Sequence, residues 1–458
     1  MCPSPHLFQS GAKMRRHDAR WRVAHGIALA VLAGEWHGAA MAYRAADALG
    51  AGGLWLRQLV QDLRAAFPAP PLDAVDGLTR FVDEHPAFRE VWSQRWLDPI
   101  VRTWYLPPLA MAAPPWPVPA LPSLGELAAW LGVTTEVLAW MADRKGIERT
   151  ARSPRLLRYR YAWVGKRSGG VRLLEAPKGR LRTMQRRILD GILAAIPPHE
   201  AAHGFRAGRS PLTHAALHAG QTVVVRADLR AFFADVPPPR VYGLFRAAGY
   251  PEGVARTLVA LTTNRVSAAV LGAAPRPAGA AEVDALFHLR RRLAEPHLPQ
   301  GAPTSPALAN LSCFALDTRL AALAASIDAT YSRYADDLTF SGGQRLAASV
   351  PRLLDLVAAI ARDEGFALNA RKTRVMRARV RQTVTGIVVN QRPNLARPAY
   401  DALRATLTNC LRHGPSTQER GTPRFREHLR GRIAWVAQLH PERGRRLLVL
   451  YQTIDWSA

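Results

Sequence analysis

The segment Tyr331-Ser-Arg-Tyr-Ala-Asp-Asp-Leu-Thr-Phe340 sets two adjacent acids between two strand-like runs. Tyr, Thr and Phe on either side favour extended backbone, so the segment predicts strand, tight turn, strand. Neighbouring carboxylates in a tight turn repel each other unless a cation sits between them. An Asx-type turn is the simpler alternative, and it asks for one Asp and no partner strand. A second run, Val223-Val-Val-Arg-Ala-Asp228, is an apolar strand ending in a lone carboxylate. Three carboxylates at neighbouring strand ends can hold two Mg²⁺ ions roughly 3.5–4 Å apart, which clamps both oxygens of an in-line phosphoryl transfer. Mg²⁺ takes few protein carboxylates plus substrate phosphates, so three acids suffice.

Charge narrows the class of partner. The chain has 458 residues and a formal net charge of +27, with 48% hydrophobic and 21% charged residues. That composition supplies large cores and excludes global disorder. The basic excess points to a polyanion: nucleic acid or an anionic membrane surface. Residues 1–120 hold 12 Lys+Arg against 10 Asp+Glu, so nearly all the excess lies later. A uniformly solvated basic surface is the plainer alternative. Cys2, Cys313 and Cys410 are too few and too far apart for a disulfide framework or a Cys-rich zinc module, which suits a reducing cytosol. No run approaches the roughly 18 apolar residues of a membrane span. Ile27–Gly34 follows Arg15, Arg16, Arg20 and Arg22, but it is short and lacks a clean cleavage site, so it reads as an amphipathic helix and not a signal peptide.

Residues 1–110 read as a helical extension, with helices over Trp21–Leu49 and Leu54–Phe67, and with Trp36, Trp55, Trp92, Trp96 and Trp104 suggesting a packed domain. Leu106–Pro122 is Pro-rich, and 111–122 is taken as a linker or extended strap. Ser123-Leu-Gly-Glu126 predicts a capping box opening a helix. With the helix through Thr135–Met141 it forms a pair that packs, or alternatively reads DNA. Tyr159–Val164, Lys166–Gly170 and Val171–Leu174 predict a hairpin with a basic tip. Leu181–Ile196 predicts a helix. Beyond it, strand-like runs (Thr222–Val225, Tyr331–Phe340, Val384–Val389) alternate with helical ones (Leu308–Ala325, Val350–Asp363), an α+β pattern. Leu271–Ala281 is Ala/Pro-rich and reads as a surface insertion. Residues 391–458 carry 12 Lys+Arg against 5 Asp+Glu, with basic helices over Leu403–Leu411 and Arg430–Leu439.

Several blocks together resemble the reverse transcriptases. Tyr334-Ala-Asp-Asp337 resembles their catalytic box, and Arg226-Ala-Asp228-Leu-Arg-Ala-Phe-Phe233 their first catalytic motif. Leu298-Pro-Gln-Gly301 through Asn310 resembles the next block. Gly365-Phe-Ala-Leu-Asn369-Ala-Arg-Lys372-Thr373 and Val384-Thr-Gly386-Ile-Val-Val-Asn390 resemble the two after the box. His203-Gly-Phe-Arg206-Ala-Gly-Arg209-Ser210 resembles an upstream block shared by retron and group II intron enzymes. Tyr159-Arg-Tyr161, Leu174-Glu-Ala-Pro-Lys178, Gln185-Arg186 and Val384-Thr-Gly386 carry a finer resemblance to bacterial retron enzymes.

The resemblance implies a right-hand polymerase fold: fingers and a palm with an antiparallel sheet over 123–390, and a basic helical thumb over 391–458. It implies that Asp228, Asp336 and Asp337 hold two Mg²⁺ ions, with Asp337 the looser ligand. Lys372 is implied as a proton donor to pyrophosphate or a phosphate contact; an exposed helix-end lysine is the alternative. Phe233 would exclude a ribose 2′-hydroxyl, with Phe232 pointing the other way on a strand. Gln300 and Gly301 would line the nucleotide pocket, Gly301 by close backbone approach. Arg172, with Lys166 and Lys178, would grip the dNTP triphosphate. Arg206 and Arg209 would touch the template or primer backbone. Val384, Thr385 and Gly386 belong to the implied RNA-recognition turn, and A-form duplex is read mainly by shape.

The implied partners are a cognate structured non-coding RNA, the RNA–DNA duplex and dNTPs. Residues 391–458 leave no room for an RNase H domain, so a host RNase H is expected to remove the RNA strand. An accessory effector protein in antiphage defence is a further expected partner, a membrane is not, and the expected location is cytoplasmic. A group II intron-like or other bacterial reverse transcriptase, and a catalytically silent RNA-binding protein, are the competing readings.

Overall fold

A computed structural model describes residues 6–71, 75–94, 100–105, 111–143, 146–149, 153–166 and 169–456. Trp96, Cys2, residues 106–110 of the Pro-rich segment, Arg167 and Ser168 of the hairpin tip, and the side chains of Arg15 and Arg16 lie outside that description. The chain divides into two compact units, each assembled from three stretches of sequence.

The first unit takes residues 1–159, 177–195 and 238–264. Helices α1 (His6–Leu32), α2 (Gly38–Leu49), α3 (Leu54–Ala66), α4 (Val75–Glu84) and α5 (Pro86–Ser93) close around one core of Ile27, Leu32, Met41, Leu56, Leu63, Phe88 and their neighbours. Residue spacing explains this: Leu56, Leu59, Val60 and Leu63 of α3 fall on one face. Arg20 on α1 pairs with the buried Asp83 on α4 at 2.7 Å. Of the tryptophans, Trp92 is buried and Trp36 and Trp55 pack on the core, whereas Trp104 is half exposed.

Residues 111–122 run as a strap over the same unit. The Ala112 amide donates to the Gly249 carbonyl at 3.0 Å, and the Tyr250 hydroxyl donates to the Pro119 carbonyl at 3.2 Å. Helices α6 (Leu124–Leu131) and α7 (Thr135–Ala142) follow. Ser123 Oγ accepts from the Glu126 amide, while the Glu126 carboxylate receives the Ser123 hydroxyl, so the cap forms by a variant of the expected box. Thr134 caps α7 through its own side-chain oxygen, which accepts from the Val137 amide. Here α8 (Gly179–Gly191), α10 (Pro238–Ala247) and α11 (Glu252–Thr262) join this unit, so it does not follow the linear division at residue 123.

The second unit takes residues 160–176, 196–237 and 265–458. Strands β1 (Tyr159–Gly165) and β2 (Val171–Pro177) form the predicted hairpin. A four-stranded antiparallel sheet follows, ordered β4 (Ala329–Tyr334), β5 (Asp337–Gly342), β3 (Val223–Asp228), β6 (Arg374–Arg377). Central β3 is buried almost throughout, as its Val-Val-Val run requires. This is the antiparallel palm sheet expected above.

Around it lie α9 (Pro211–Ala216), α12 (Ala268–Gly272), α13 (Ala280–Leu293), α14 (Ser305–Ser312), α15 (Phe314–Ala325) and α16 (Gln344–Asp363). The expected single helix over Leu308–Ala325 is two helices bent by 50° at Cys313. No single helix among the described residues is long and apolar enough to cross a membrane.

A short hairpin, β7 (Thr383–Val384) and β8 (Ile387–Val388), precedes α17 (Arg397–His413), α18 (Ser416–Glu419), α19 (Phe425–Leu439) and α20 (Pro441–Gln452). Leu403, Leu407, Leu429, Ile433, Val436 and Leu447 give these helices a core of their own.

Candidate active site

Pairing of β3 with β5 sets Asp228 opposite Asp337, and the Leu229 amide donates to the Asp336 carbonyl at 2.9 Å. The sequence-predicted acids therefore meet at one end of the two central strands. Asp336 lies in the β4–β5 turn. Its carboxyl is pushed up to about 6, first by burial and then by the charges of Asp228 and Asp337. Two basic side chains answer that repulsion. Lys372 Nζ lies 2.8 Å from Asp228 Oδ2, and Arg226 Nη2 lies 2.9 Å from Asp337 Oδ2. Burial pulls the Lys372 ammonium down, but its hydrogen bond to Asp228 and the surrounding carboxylates outweigh this and raise it.

Among the described residues no three His, Cys, Asp or Glu side chains form a ready-made metal cage. The donor set still fits Mg²⁺: hard carboxylate oxygens, mutually repelling, to which substrate phosphates would add the remaining ligands. Asp228, Asp336 and Asp337 are the acids that would hold it, Asp228 and Asp337 by sharing oxygens now paired with Lys372 and Arg226.

What positions the turn is a buried network that sequence reasoning missed. Arg333 is wholly buried and grips Asp317 with two hydrogen bonds of 2.8 and 2.7 Å. Its third nitrogen donates to Asn310 Oδ1 at 2.9 Å and to the Ala335 carbonyl at 3.1 Å. Asn310 in turn donates to the Gly204 carbonyl at 2.8 Å. A Cβ on Gly204 would lie 2.6 Å from the Ala335 amide nitrogen, so only glycine lets this backbone reach the turn. Ala335 itself sits at φ 56°, a left-handed conformation held by these contacts. Behind the turn, the buried His218 ring bridges Ser332 on β4 (2.6 Å) and Ser341 on β5 (2.7 Å). Burial, then His203, pushes His218 down to about 3, so the bridge is made by a neutral ring. On the other side, the Asn369 amide donates to the Asp228 carbonyl at 2.7 Å. Asn369 lies in one of the blocks quoted above, and the sequence signal for Arg333 is that it is the one charged residue of its strand.

The remaining predicted residues distribute as follows. Phe232 and Phe233 are not on a strand: β3 ends at Asp228, and Ala231 at φ 46° turns the chain. Phe232 is buried beside Phe366 and Arg333, while Phe233 is half buried against Phe205. Gly301, at φ 131°, makes its close approach to β2: a Cβ there would lie 3.1 Å from the Glu175 carbonyl oxygen. The neighbouring Gln300 carbonyl accepts from the Glu175 amide at 2.9 Å. Beneath this contact the buried Glu175 and His297 side chains meet at 3.0 Å.

Lys166 and Arg172 are largely exposed on the hairpin, close enough to the site that Lys166 feels Lys372, Arg172, Asp228 and Asp336; its ammonium is lowered, first by partial desolvation. Lys178 belongs to the first unit, where it caps α8 and its amide donates to the Arg158 carbonyl. Arg206 and Arg209 both pair with Glu200, at 2.7 and 2.9 Å. Val384 is fully buried against Val224, Val389 and Trp435, so its side chain anchors the turn and does not face a ligand. Thr385 at φ 48° and Gly386 at φ 81° form the turn itself, and Thr385 Oγ1 donates to the Pro211 carbonyl.

An antiparallel sheet that brings strand-end carboxylates together beside a basic hairpin is the palm of a nucleotidyl-transferring polymerase. Comparison with known proteins agrees. Residues 164–394 match the family described as reverse transcriptase (RNA-dependent DNA polymerase). The retron Mx65 reverse transcriptase of Myxococcus xanthus is 41% identical over 323 residues, covering 70% of this chain and 69% of that protein. The retron Mx162 reverse transcriptase of the same organism is 35% identical over 353 residues, 74% of this chain and 68% of that one. The retron Ec86 reverse transcriptase of Escherichia coli is 29% identical over 301 residues, 65% and 82% respectively. The chain belongs to the retron-type bacterial reverse transcriptases and is an RNA-directed DNA polymerase.

Proposed function

We propose that this polymerase copies part of a cognate structured non-coding RNA into single-stranded DNA, priming from a 2′-hydroxyl of that RNA so that the product is a branched RNA–DNA molecule. The observation that carries the reading is the meeting of Asp228 and Asp336 at adjacent strand ends, in a chain so similar to retron enzymes. Two Mg²⁺ ions, when bound, would lower the pKa of the priming hydroxyl and neutralise the leaving pyrophosphate.

The protein's own groups do the rest. Asp228, Asp336 and Asp337 bind the ions, and Asp337, tied to Arg226, also orients the turn. Lys372, which lies at Asp228, gives a proton or a contact to the departing phosphates. Lys166 and Arg172 grip the triphosphate, and Phe233 shapes the sugar side of the pocket. The basic helices after residue 391 hold the RNA–DNA duplex by its backbone. A host RNase H removes the copied RNA, and an accessory effector joins the system in cytoplasmic antiphage defence.

The test is expression with the native upstream DNA, followed by a denaturing gel with and without RNase, beside an Asp336→Asn, Asp337→Asn double variant. A discrete RNase-trimmed DNA band that vanishes in the variant supports the proposal. No band from the locus, with synthesis on an added RNA template and primer, rejects the self-templated reading. Equal plaque counts with and without the locus reject the defence role.

A further inference from the structure

The Ala/Pro-rich stretch read as a surface insertion is bordered by two helices, α12 and α13, that both hold the basic hairpin. The Trp163 indole N–H on β1 donates to the Val270 carbonyl of α12 at 3.1 Å. Val266, Val270, Leu271, Leu289 and Leu293 pack with Trp163 and Leu173 of the hairpin. The hairpin tip is closed by Lys166 and Gly170 backbone groups, and the Gly170 amide donates to Glu282 Oε1 on α13 at 3.0 Å. The other Glu282 oxygen accepts from the Ala278 amide at 2.9 Å, which fixes the carboxylate at the start of its own helix. Nearly three turns further along α13, Arg292 Nε lies 2.6 Å from Asp235 Oδ1. The Asp235 side chain is only 7% exposed, and it follows Phe233 by two residues.

We propose that α12 and α13 form a brace that sets the distance between the basic hairpin tip and the Phe233–Asp235 turn, so that Glu282 and Arg292 are positioning residues for the incoming nucleotide. The mechanics follow from stiffness. A two-stranded hairpin alone is marginally stable in water. Its exposed Lys166 and Arg172 side chains gain a defined place only if the tip is held. One helix, anchored at both ends by charged hydrogen bonds, supplies that hold. This inference rests on the assignment of Lys166 and Arg172 to the triphosphate.

The experiment is steady-state primer extension on poly(rA)/oligo(dT) with dTTP, run on the full chain and on Glu282→Ala, Glu282→Gln and Arg172→Ala. Hydrogen exchange of the 160–176 peptide is followed in parallel. Glu282→Ala is expected to raise the KM for dTTP roughly five- to tenfold, the net worth of one ordinary hydrogen bond, with kcat within about twofold. Exchange in the 160–176 peptide is expected to quicken. Glu282→Gln keeps an acceptor for Gly170 and falls between.

The sign is diagnostic. If Glu282 acted only through its charge, its removal would favour the triphosphate and lower KM. An unchanged or lowered KM, unchanged exchange, or a kcat loss that tracks the melting temperature overturns the brace. Arg172→Ala separates the two ideas. A flat dTTP profile there rejects the triphosphate assignment, while the Glu282 variants still decide the brace by the exchange of the hairpin.

Discussion

Gly204→Ala is the smallest change that should reach the catalytic turn. The added methyl would lie 2.6 Å from the Ala335 amide nitrogen and 3.2 Å from the Tyr334 carbonyl carbon. Ordinary contact between such atoms needs about 3.4 Å or more, so one backbone must yield by roughly 0.8 Å. Gly204 has little freedom to retreat, because Asn310 holds its carbonyl and Arg333 holds Asn310. The next residue, Asp336, therefore takes much of the displacement. Overpacking of this kind costs about 1–3 kcal/mol of stability. A misplacement near 1 Å at a reacting centre costs on the order of 100-fold in rate. We expect kcat in primer extension to fall roughly 10- to 100-fold while duplex affinity, measured by anisotropy of labelled template–primer, stays within about threefold. A variant that melts a few degrees lower yet turns over within twofold of wild type would refute the claim that Gly204 sets the position of the turn.

Three further outcomes follow from the same site. Asp317→Asn leaves the Arg333 guanidinium buried without its counter-charge, so chemical denaturation should show a loss of about 3–5 kcal/mol, whereas a loss under 1 kcal/mol would mean water reaches Arg333. Asp336 holds its proton longer in the folded chain than in the unfolded one, so metal-free wild type loses stability as pH rises from about 4 to about 6. Asp336→Asn should therefore melt higher than wild type at pH 7 without metal, by up to about 3 kcal/mol, with the gap closing near pH 4. Added Mg²⁺ should raise the wild-type melting point at pH 7 and leave the variant's almost unmoved; equal responses would remove Asp336 from the metal site.

The acids were legible in the sequence because Asp228 ends an apolar run and Asp336 and Asp337 sit between two strand-like ones, a local pattern. What holds them was not, because it is assembled from distant positions. Arg333, Asp317, Asn310 and Gly204 share no short motif, and only the fold shows that they touch. The stretch 271–281 is exposed, as its Ala and Pro content suggests, but nothing in it shows that the adjoining Val266, Val270 and Leu293 pack against Trp163 and Leu173 far upstream. Phe232 and Phe233 were assigned to a strand because nothing in their side chains marks where β3 stops; the left-handed turn at Ala231 is set by its surroundings. The unbroken helix-favouring character of 308–325 likewise hides the bend at Cys313, where no Gly or Pro signals it.

Strand β3 lies between β5 and β6, whose residues come more than a hundred positions later. On the ribosome, Val223–Val225 must therefore wait, unpaired on both edges, until residues 337–342 and 374–377 have emerged. An apolar strand without neighbours is a template for foreign strands. The central strand of the catalytic sheet is thus also the segment most exposed to misassembly during synthesis, and the yield of folded enzyme should depend on how quickly translation proceeds from residue 228 to residue 377.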